Sequence, residues 1–146
     1  MIEVKKGIYF SSNFNDMNLE LIYRFIKNSY WGTSRTFEEQ KTASENTINF
    51  GLFHNENQIA YSRVMTDKVF FAYLLDVFVV EDYQGKGYSK LLIDQILSYP
   101  ELKNIDKWML ATKDAHSLYT KFGFTEVKSP EKLMEKLSPR AKLIYE

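Results

Sequence analysis

Residues 77–92 read VFVVEDYQGKGYSKLL, and this stretch decides how the chain folds. The apolar run 69–80 that leads into it is rich in Val and Phe, which predicts a central strand buried on both faces. Residues 88–99 place apolar side chains at helical spacing, which predicts a helix. A tight loop with Gly85 and Gly87 joins the two elements. Such a strand, loop and helix can form an anion site, because the loop amides and the first helix amides point to one spot.

The glycine loop alone leaves two interpretations open, a simple turn and an anion site. It lacks the full G-x-G-x-x-G spacing, because Lys90 stands where the third glycine would be, and it is not a Walker A sequence. Glycines let a backbone approach a phosphate without a Cβ in the way, and Lys86 or Lys90 can add positive charge. The rest of the chain has to decide between the two.

The pattern along the chain predicts one domain over residues 1–146, of the α/β (α+β) class. Its mixed, mostly antiparallel central sheet is flanked by helices. Asn55-Glu56-Asn57 separates two strand-like runs and predicts an antiparallel hairpin. Besides those above, we predict strands over 6–12, 46–54, 58–66, 106–112, 124–128 and 132–137, and helices over 17–28, 36–44 and 115–122, the last capped by Asp114.

Composition excludes several kinds of function. Nineteen basic residues balance nineteen acidic ones, which argues against a nucleic-acid or membrane-surface role. The absence of cysteine excludes disulfides and a cysteine nucleophile. His54 and His116 show no metal-ligand spacing, so we expect no metal. No apolar segment resembles a signal peptide or a membrane span, and we expect a cytoplasmic protein.

Two segments together resemble one family. The stretch 77–92 is similar to the coenzyme-binding signature of the GNAT superfamily of acyl-CoA N-acyltransferases, Q/R-x-x-G-x-G/A after a central strand. The segment AHSLYTKFGF, residues 115–124, resembles the superfamily's A-x-x-L-Y-x-x-x-G-F. The resemblance covers residues 72–127, and YWGTSR, RVMTD and TKDAHSLY also resemble an uncharacterised bacterial subgroup. It implies an N-acetyltransferase that moves an acetyl group from acetyl-CoA to a primary amine of a small molecule or peptide by direct attack.

The resemblance implies where acetyl-CoA would bind. The loop amides would hold the pyrophosphate, and the edge of the central strand would bond the pantetheine arm as an added strand. Ser89 stands where Gly or Ala is usual, and Thr112 stands where many members carry Asn. The implied cofactor residues are Val77, Phe78, Val79, Gln84, Gly85, Lys86, Gly87, Tyr88, Ser89 and Thr112.

The resemblance also implies catalytic residues. Tyr119 occupies the position of the family's usual proton donor, although its place on an apolar helix stripe also suits a packing residue. A glutamate base on the central strand is missing, since Tyr73 and Leu75 stand at the nearest positions. Asp76 is the base candidate, because burial would raise its pKa. It can instead be a structural carboxylate bonded to backbone or to Arg35. Glu81 and His116 are further base candidates.

We expect the acceptor amine near Trp31, Arg35 and Tyr73. Trp31 can stack on a substrate and Arg35 can clamp a carboxylate. Alternatively, Trp31 fills the edge of the core and Arg35 pairs with Glu38 or Glu39. Two other functions remain open, a non-catalytic coenzyme A-binding regulatory domain and a different phosphate-ligand module. The aromatic C-terminal half would permit a homodimer.

Overall fold

The computed structural model describes residues 1–146 and has one six-stranded sheet at its centre. The strands follow one another across the sheet in chain order. The first five are antiparallel to their neighbours, and only the last pair, β5 and β6, is parallel. The predicted fold class is therefore confirmed. The strands are β1 Ile2–Lys5, β2 Ile8–Ser11, β3 Ile48–His54, β4 Asn57–Thr66, β5 Phe71–Val79 and β6 Lys107–Met109.

The β3–β4 hairpin forms where the turn residues predict it. Asn55 and Glu56 have φ values of 50° and 67°, the left-handed conformation that a two-residue hairpin turn requires at both positions. Phe53 pairs with Gln58 and His54 with Asn57 on either side of the turn. The hairpin pairs β3 with β4, and these two strands form the middle of the sheet.

The structure has five helices, and side-chain caps set where the first two begin. The Asn18 side chain accepts the Leu21 amide, and Thr36 and Glu39 form a reciprocal capping box. The predicted Asp114 cap of the fourth helix is wrong, because this helix begins at His116 and has no side-chain cap; the Ala115 amide before it donates to the Thr112 hydroxyl. The helices are α1 Leu19–Lys27, α2 Phe37–Glu45, α3 Tyr88–Leu97, α4 His116–Thr120 and α5 Pro139–Tyr145.

The two faces of the sheet carry separate apolar cores. On one face, Leu92, Ile93 and Ile96 of α3 are fully buried in the larger core. On the other face, Ile22 and Ile26 of α1 pack with a smaller, more aromatic set from the sheet. Burying side chains of this size contributes about 1.5–3 kcal/mol each to folding. The sheet is thus held on both faces, and the active-site candidates lie around its β5 edge.

The C-terminal end of the chain departs from the sequence-based prediction. The expected strands 124–128 and 132–137 are wrong, since neither segment pairs with the sheet, and residues 139–145 form α5 instead. A segment with an alternating apolar pattern forms a strand only where it can pair with the edge of a sheet. The edge strand β6 offers little to pair with, because it is only three residues long. No helix has both the length and the apolar character needed to cross a membrane.

Candidate active site

A β-bulge interrupts the central strand at Asp76. The pairing of β4 with β5 passes from Tyr61 opposite Phe78 to Arg63 opposite Leu75, so one extra β5 residue lies between these pairs. Asp76 has φ +54°, which is uncommon for a residue other than glycine. Bulges of this kind bend a strand and redirect side chains next to functional sites.

The same strand has an open edge beyond the bulge. β6 pairs with β5 only as far as Tyr73 opposite Met109, and no strand adjoins that edge of β5 from residue 74 to 79. Val77, Phe78 and Val79, the predicted pantetheine edge, lie on this open part. An extended ligand can add to such an edge as a further strand.

The glycine loop presents free backbone amides directly after this edge. Gly85 and Gly87 have φ +75° and +85°, which L residues rarely adopt. A Cβ added at either glycine would meet no atom within 4 Å, so the loop faces open space. The amides of residues 85–90 donate to no protein acceptor. We call these groups the amide cradle. The amide cradle includes the first amides of α3, at the end of the helix where the helix dipole favours an anion.

Gln84 does not join the amide cradle. Its amide donates to the Glu81 carbonyl, and its side-chain Nε2 donates to the Val79 carbonyl at 2.8 Å. The expectation that its amide holds phosphate is therefore wrong, because the turn before the loop uses that amide. Gln84 instead braces the loop against the end of β5. Tyr88 and Ser89 are half-buried in the first turn of α3, whereas Lys86 and Lys90 are exposed.

Tyr119 is buried, but its hydroxyl remains available. The side chain is 7% exposed, and its ring meets Phe124 edge to face. The hydroxyl has no protein hydrogen-bond partner, and because no fully buried side-chain oxygen lacks one, it reaches solvent. Burial raises the pKa of Tyr119 to about 12. Tyr119 therefore both packs in the core and presents a protonated phenol to a cavity that Thr112 and His116 also line.

Asp76 is engaged on both carboxylate oxygens. Its Oδ2 accepts from Arg63 Nε at 2.6 Å, Arg35 Nη1 at 3.0 Å and Gln40 Nε2 at 3.2 Å. Its Oδ1 accepts from Arg35 Nη1 at 3.1 Å and Trp31 Nε1 at 3.2 Å. We call these five side chains the Asp76 cluster. It joins the bulge to the α1–α2 connection and to the start of α2.

The expectation that burial raises the pKa of Asp76 is wrong. Burial does act in that direction, but the charges of Arg63 and Arg35 outweigh it, and the pKa lies below its ordinary value. A carboxylate with a lowered pKa and no free lone pair is poorly suited to take a proton. The alternative of a structural carboxylate bonded to Arg35 describes this geometry.

The acceptor loop, residues 30–35, is fixed by this cluster. Arg35 pairs with Asp76 and Gln40, and the alternative pairing with Glu38 or Glu39 does not occur. Gly32 is buried against α1, where an added Cβ would lie 2.3 Å from a backbone oxygen. Lys113 lies in the segment after β6, and its Nζ is 5.4 Å from the centre of the Tyr30 ring. The acceptor loop therefore spans from the bulge to the segment after β6.

Three further candidates make no side-chain hydrogen bond to the Asp76 cluster or to one another. Tyr73 is half-buried on β5, and burial followed by the nearby Tyr145 phenol raises its pKa. Glu81 is exposed in the turn before the glycine loop, and His116 is exposed at the start of α4. The structure thus brings Trp31, Arg35 and Asp76 together and leaves these three apart.

Arg63 is the site residue that the sequence reasoning missed. It is the only charged residue in β4, as Asp76 is in β5, and its side chain is 8% exposed. The sequence did hold a signal for this pair, because each of the two adjacent predicted strands has a single charged residue and the two charges are opposite. A single buried charge requires a partner. Their pairing depends on the register, which the sequence pattern leaves open.

Comparison with known proteins identifies the family. The model of the acetyltransferase (GNAT) domain matches residues 45–126, which include the bulge, the amide cradle and Tyr119. An uncharacterized N-acetyltransferase, ycf52, from Pyropia yezoensis is 31% identical over 132 residues, covering 86% of this chain and 74% of that protein. The chain belongs to the GNAT acetyltransferase family.

Solved structures agree with this assignment. The chain is similar to a GNAT-family protein from Xanthomonas campestris pv. campestris, with a TM-score of 0.87 and 35% identity over 90% of this chain and 94% of that chain. The ribosomal-protein-S18-alanine N-acetyltransferase from Escherichia coli is 22% identical, with a TM-score of 0.63 over 83% of this chain and 79% of that chain. The latter match shows the fold alone.

Proposed function

We propose that this protein is an acetyl-CoA-dependent N-acetyltransferase that acts on a primary amine of a small molecule or peptide by direct attack. The observation that carries the proposal is the amide cradle, whose free N–H groups follow directly on the open edge of β5. Consecutive amides at a helix N-terminus suit a pyrophosphate, and a free strand edge suits the amide-containing arm of the same molecule. Bound acetyl-CoA supplies an activated acetyl thioester.

Tyr119 is the proposed acid. When the amine nitrogen forms its bond to the acetyl carbon and the carbon–sulfur bond breaks, the electron pair leaves on sulfur. The Tyr119 hydroxyl then donates its proton to that sulfur. A pKa of about 12 keeps the phenol protonated at neutral pH. Its hydroxyl is not enclosed by protein, and Tyr119 lines a cavity together with Thr112 and His116, so the proposal needs the thioester sulfur to lie within reach of that hydroxyl.

The acceptor must lose a proton before it attacks, because a free alkyl ammonium has a pKa near ~10. We do not assign this step to Asp76, whose oxygens are all engaged. His116 lines the same cavity as Tyr119, whereas Glu81 lies in the turn before the glycine loop. We propose His116 as the base, acting directly or through water.

Two measurements on the wild-type protein test the proposal. Calorimetric titration with acetyl-CoA is expected to show binding that is competed by coenzyme A. Thiol release with a panel of primary amines is expected to exceed the rate of thioester hydrolysis without amine. If acetyl-CoA at millimolar concentration gives no binding, the amide cradle does not serve this ligand and the proposal is wrong.

A non-catalytic coenzyme A-binding domain is the second candidate. It is favoured by one observation, the absence of a carboxylate free to act as base on β5, where Asp76 is bound on both oxygens and Tyr73 and Leu75 carry no acid. Binding of acetyl-CoA without thiol release in the presence of any amine would support this candidate over the enzyme.

A further inference from the structure

The Asp76 cluster carries an excess of positive charge. Two guanidinium groups, Arg35 and Arg63, share the single carboxylate of Asp76, which is 1% exposed at the side chain. Gln40 and Trp31 complete the contacts to that carboxylate but bring no charge. One positive charge therefore remains in a largely buried position, where a further anion would be favoured.

The two guanidinium groups also keep unused donors. Arg63 binds protein only through Nε, and Arg35 only through Nη1. Because no fully buried side-chain nitrogen lacks a partner, the remaining nitrogens of both side chains reach the surface. The Arg63 side chain is nevertheless only 8% exposed. Its free edge is thus held in place, and planar guanidinium edges of this kind bind carboxylates through two parallel hydrogen bonds.

The free edges lie on the acceptor side of the sheet. Arg63 is directly opposite Leu75, and Met65 is opposite Tyr73, so these four side chains share one face. Met65 is 55% exposed and Tyr73 and Leu75 are half-buried, which marks an uncovered strip of sheet that leads from Arg63 to the gap between β5 and β6. An acceptor in this gap would have Arg63 and Arg35 on one side.

Resting on the proposed function, we infer that Arg63 and Arg35 form an anion subsite for the acceptor, and that the acceptor is an amine that also carries a carboxylate. A carboxylate has one negative charge and balances the one excess positive charge. A phosphate dianion would leave a negative charge in the same place. The rest of the polar network, through Gln40, Ser44, Tyr61 and Asn49, satisfies itself and leaves these guanidinium edges as the donors available to a ligand.

The inference is tested first on the wild-type protein, so that folding of a variant cannot obscure it. Each acceptor is offered as a pair, an amino acid or dipeptide and the same compound with its carboxylate converted to the amide, with acetyl-CoA held constant. We expect kcat/KM for the acid to exceed that for the amide by about 10- to 100-fold, the size of a charge-assisted bidentate contact. Higher salt should reduce this preference.

Variants then assign the preference to Arg63. In Arg63→Lys the charge remains but the planar edge is lost. We expect KM for the acid to rise about tenfold and the acid-over-amide preference in kcat/KM to fall by the same factor, while calorimetric titration shows acetyl-CoA still bound. Arg24→Lys, an exposed arginine of α1 outside the cluster, is the matched control and should leave both acceptors unaffected. Unfolding curves of both variants show whether Arg63→Lys is folded. If it is not folded, the comparison of acid and amide acceptors on the wild-type protein tests the inference by itself.

Two results would overturn the inference, and they differ. If acid and amide are acetylated with equal kcat/KM, the subsite is wrong while the proposed function stands. If no member of the panel is acetylated although acetyl-CoA binds, the proposed enzyme activity is wrong, and the inference that rests on it falls with it.

Discussion

The amide cradle and the Asp76 cluster both adjoin β5 but are built in opposite ways. The cradle consists of consecutive backbone amides that face open space and have no protein partner. The cluster consists of side chains from the α1–α2 connection, from α2 and from β4 that bind one buried carboxylate. The first should contribute to ligand binding with little effect on stability. The second should contribute to stability and to the position of the acceptor loop.

Asp76→Asn should have the largest effect on stability. Removing one partner of a buried ion pair leaves both guanidinium groups uncompensated, and we expect the free energy of unfolding to fall by about 3–5 kcal/mol. Urea denaturation at pH 7 measures the loss. Asp94→Asn, an exposed residue of α3, is the matched control and should have no effect. An unchanged midpoint for Asp76→Asn would mean that the cluster does not stabilise the fold.

The pH dependence of the same pair of proteins sharpens this test. Because the pKa of Asp76 is lowered on folding, its contribution is complete above its unfolded value near ~3.9 and is lost as pH falls through the lower folded value. The difference in unfolding free energy between wild type and Asp76→Asn should therefore stay constant from neutral pH to about pH 5 and shrink only below about pH 4. A decline already between pH 7 and pH 5 would show a raised pKa.

Ser89→Phe tests the amide cradle through ligand binding, whereas Asp76→Asn tests the Asp76 cluster through stability. A bulky side chain in the first turn of α3 should exclude a pyrophosphate and weaken coenzyme A binding by about 100-fold, the loss of roughly two charge-assisted hydrogen bonds. Because Ser89 is half-buried in the first turn of α3, the unfolding midpoint is measured alongside, and binding is compared at a temperature where both Ser89 variants are folded. Ser89→Gly is the matched variant and should bind normally. If Ser89→Phe binds as well as Ser89→Gly, the ligand does not lie where we place it.

Tyr119→Phe should affect neither binding nor the stability of the cluster. It removes only the hydroxyl, which has no protein partner, so the ring stays packed against Phe124. We expect turnover to fall by about 100-fold, the typical contribution of a general acid, with acetyl-CoA affinity preserved. Tyr9→Phe, on the exposed side of β2, controls for loss of a tyrosine hydroxyl. Full activity in Tyr119→Phe would remove it as the acid.

Arg140→Ala should have the smallest effect. Its ion pair with Glu39, at 2.9 Å, joins α5 to α2 between exposed side chains. Exposed pairs of this kind are screened by solvent and salt, so we expect no measurable change in Tm or in turnover. A clear fall in Tm would show that α5 unfolds together with the rest of the domain. It would also show that this exposed ion pair stabilises the fold, as we expect of the Asp76 cluster.

Contiguous features could be read from the sequence. The strand 69–80, the glycine loop and the helix 88–99 were predicted within a few residues, because each depends on local periodicity or on Gly85 and Gly87, and because Pro100 directly follows the helical pattern. The β3–β4 hairpin was predicted for the same reason, from its turn residues. The strands 124–128 and 132–137 were not correctly predicted, because a strand needs a partner edge as well as a pattern.

The sequence by itself thus determined the fold class, the family resemblance and the location of the glycine loop, since all three rest on residues near one another in the chain. Only the tertiary structure decided the role of Asp76. Its pKa depends on Arg35 and Arg63, which lie 41 and 13 residues away, and on a bulge that turns its side chain toward them. Burial alone would have raised that pKa, and the direction changed because the fold placed two positive charges around one carboxylate.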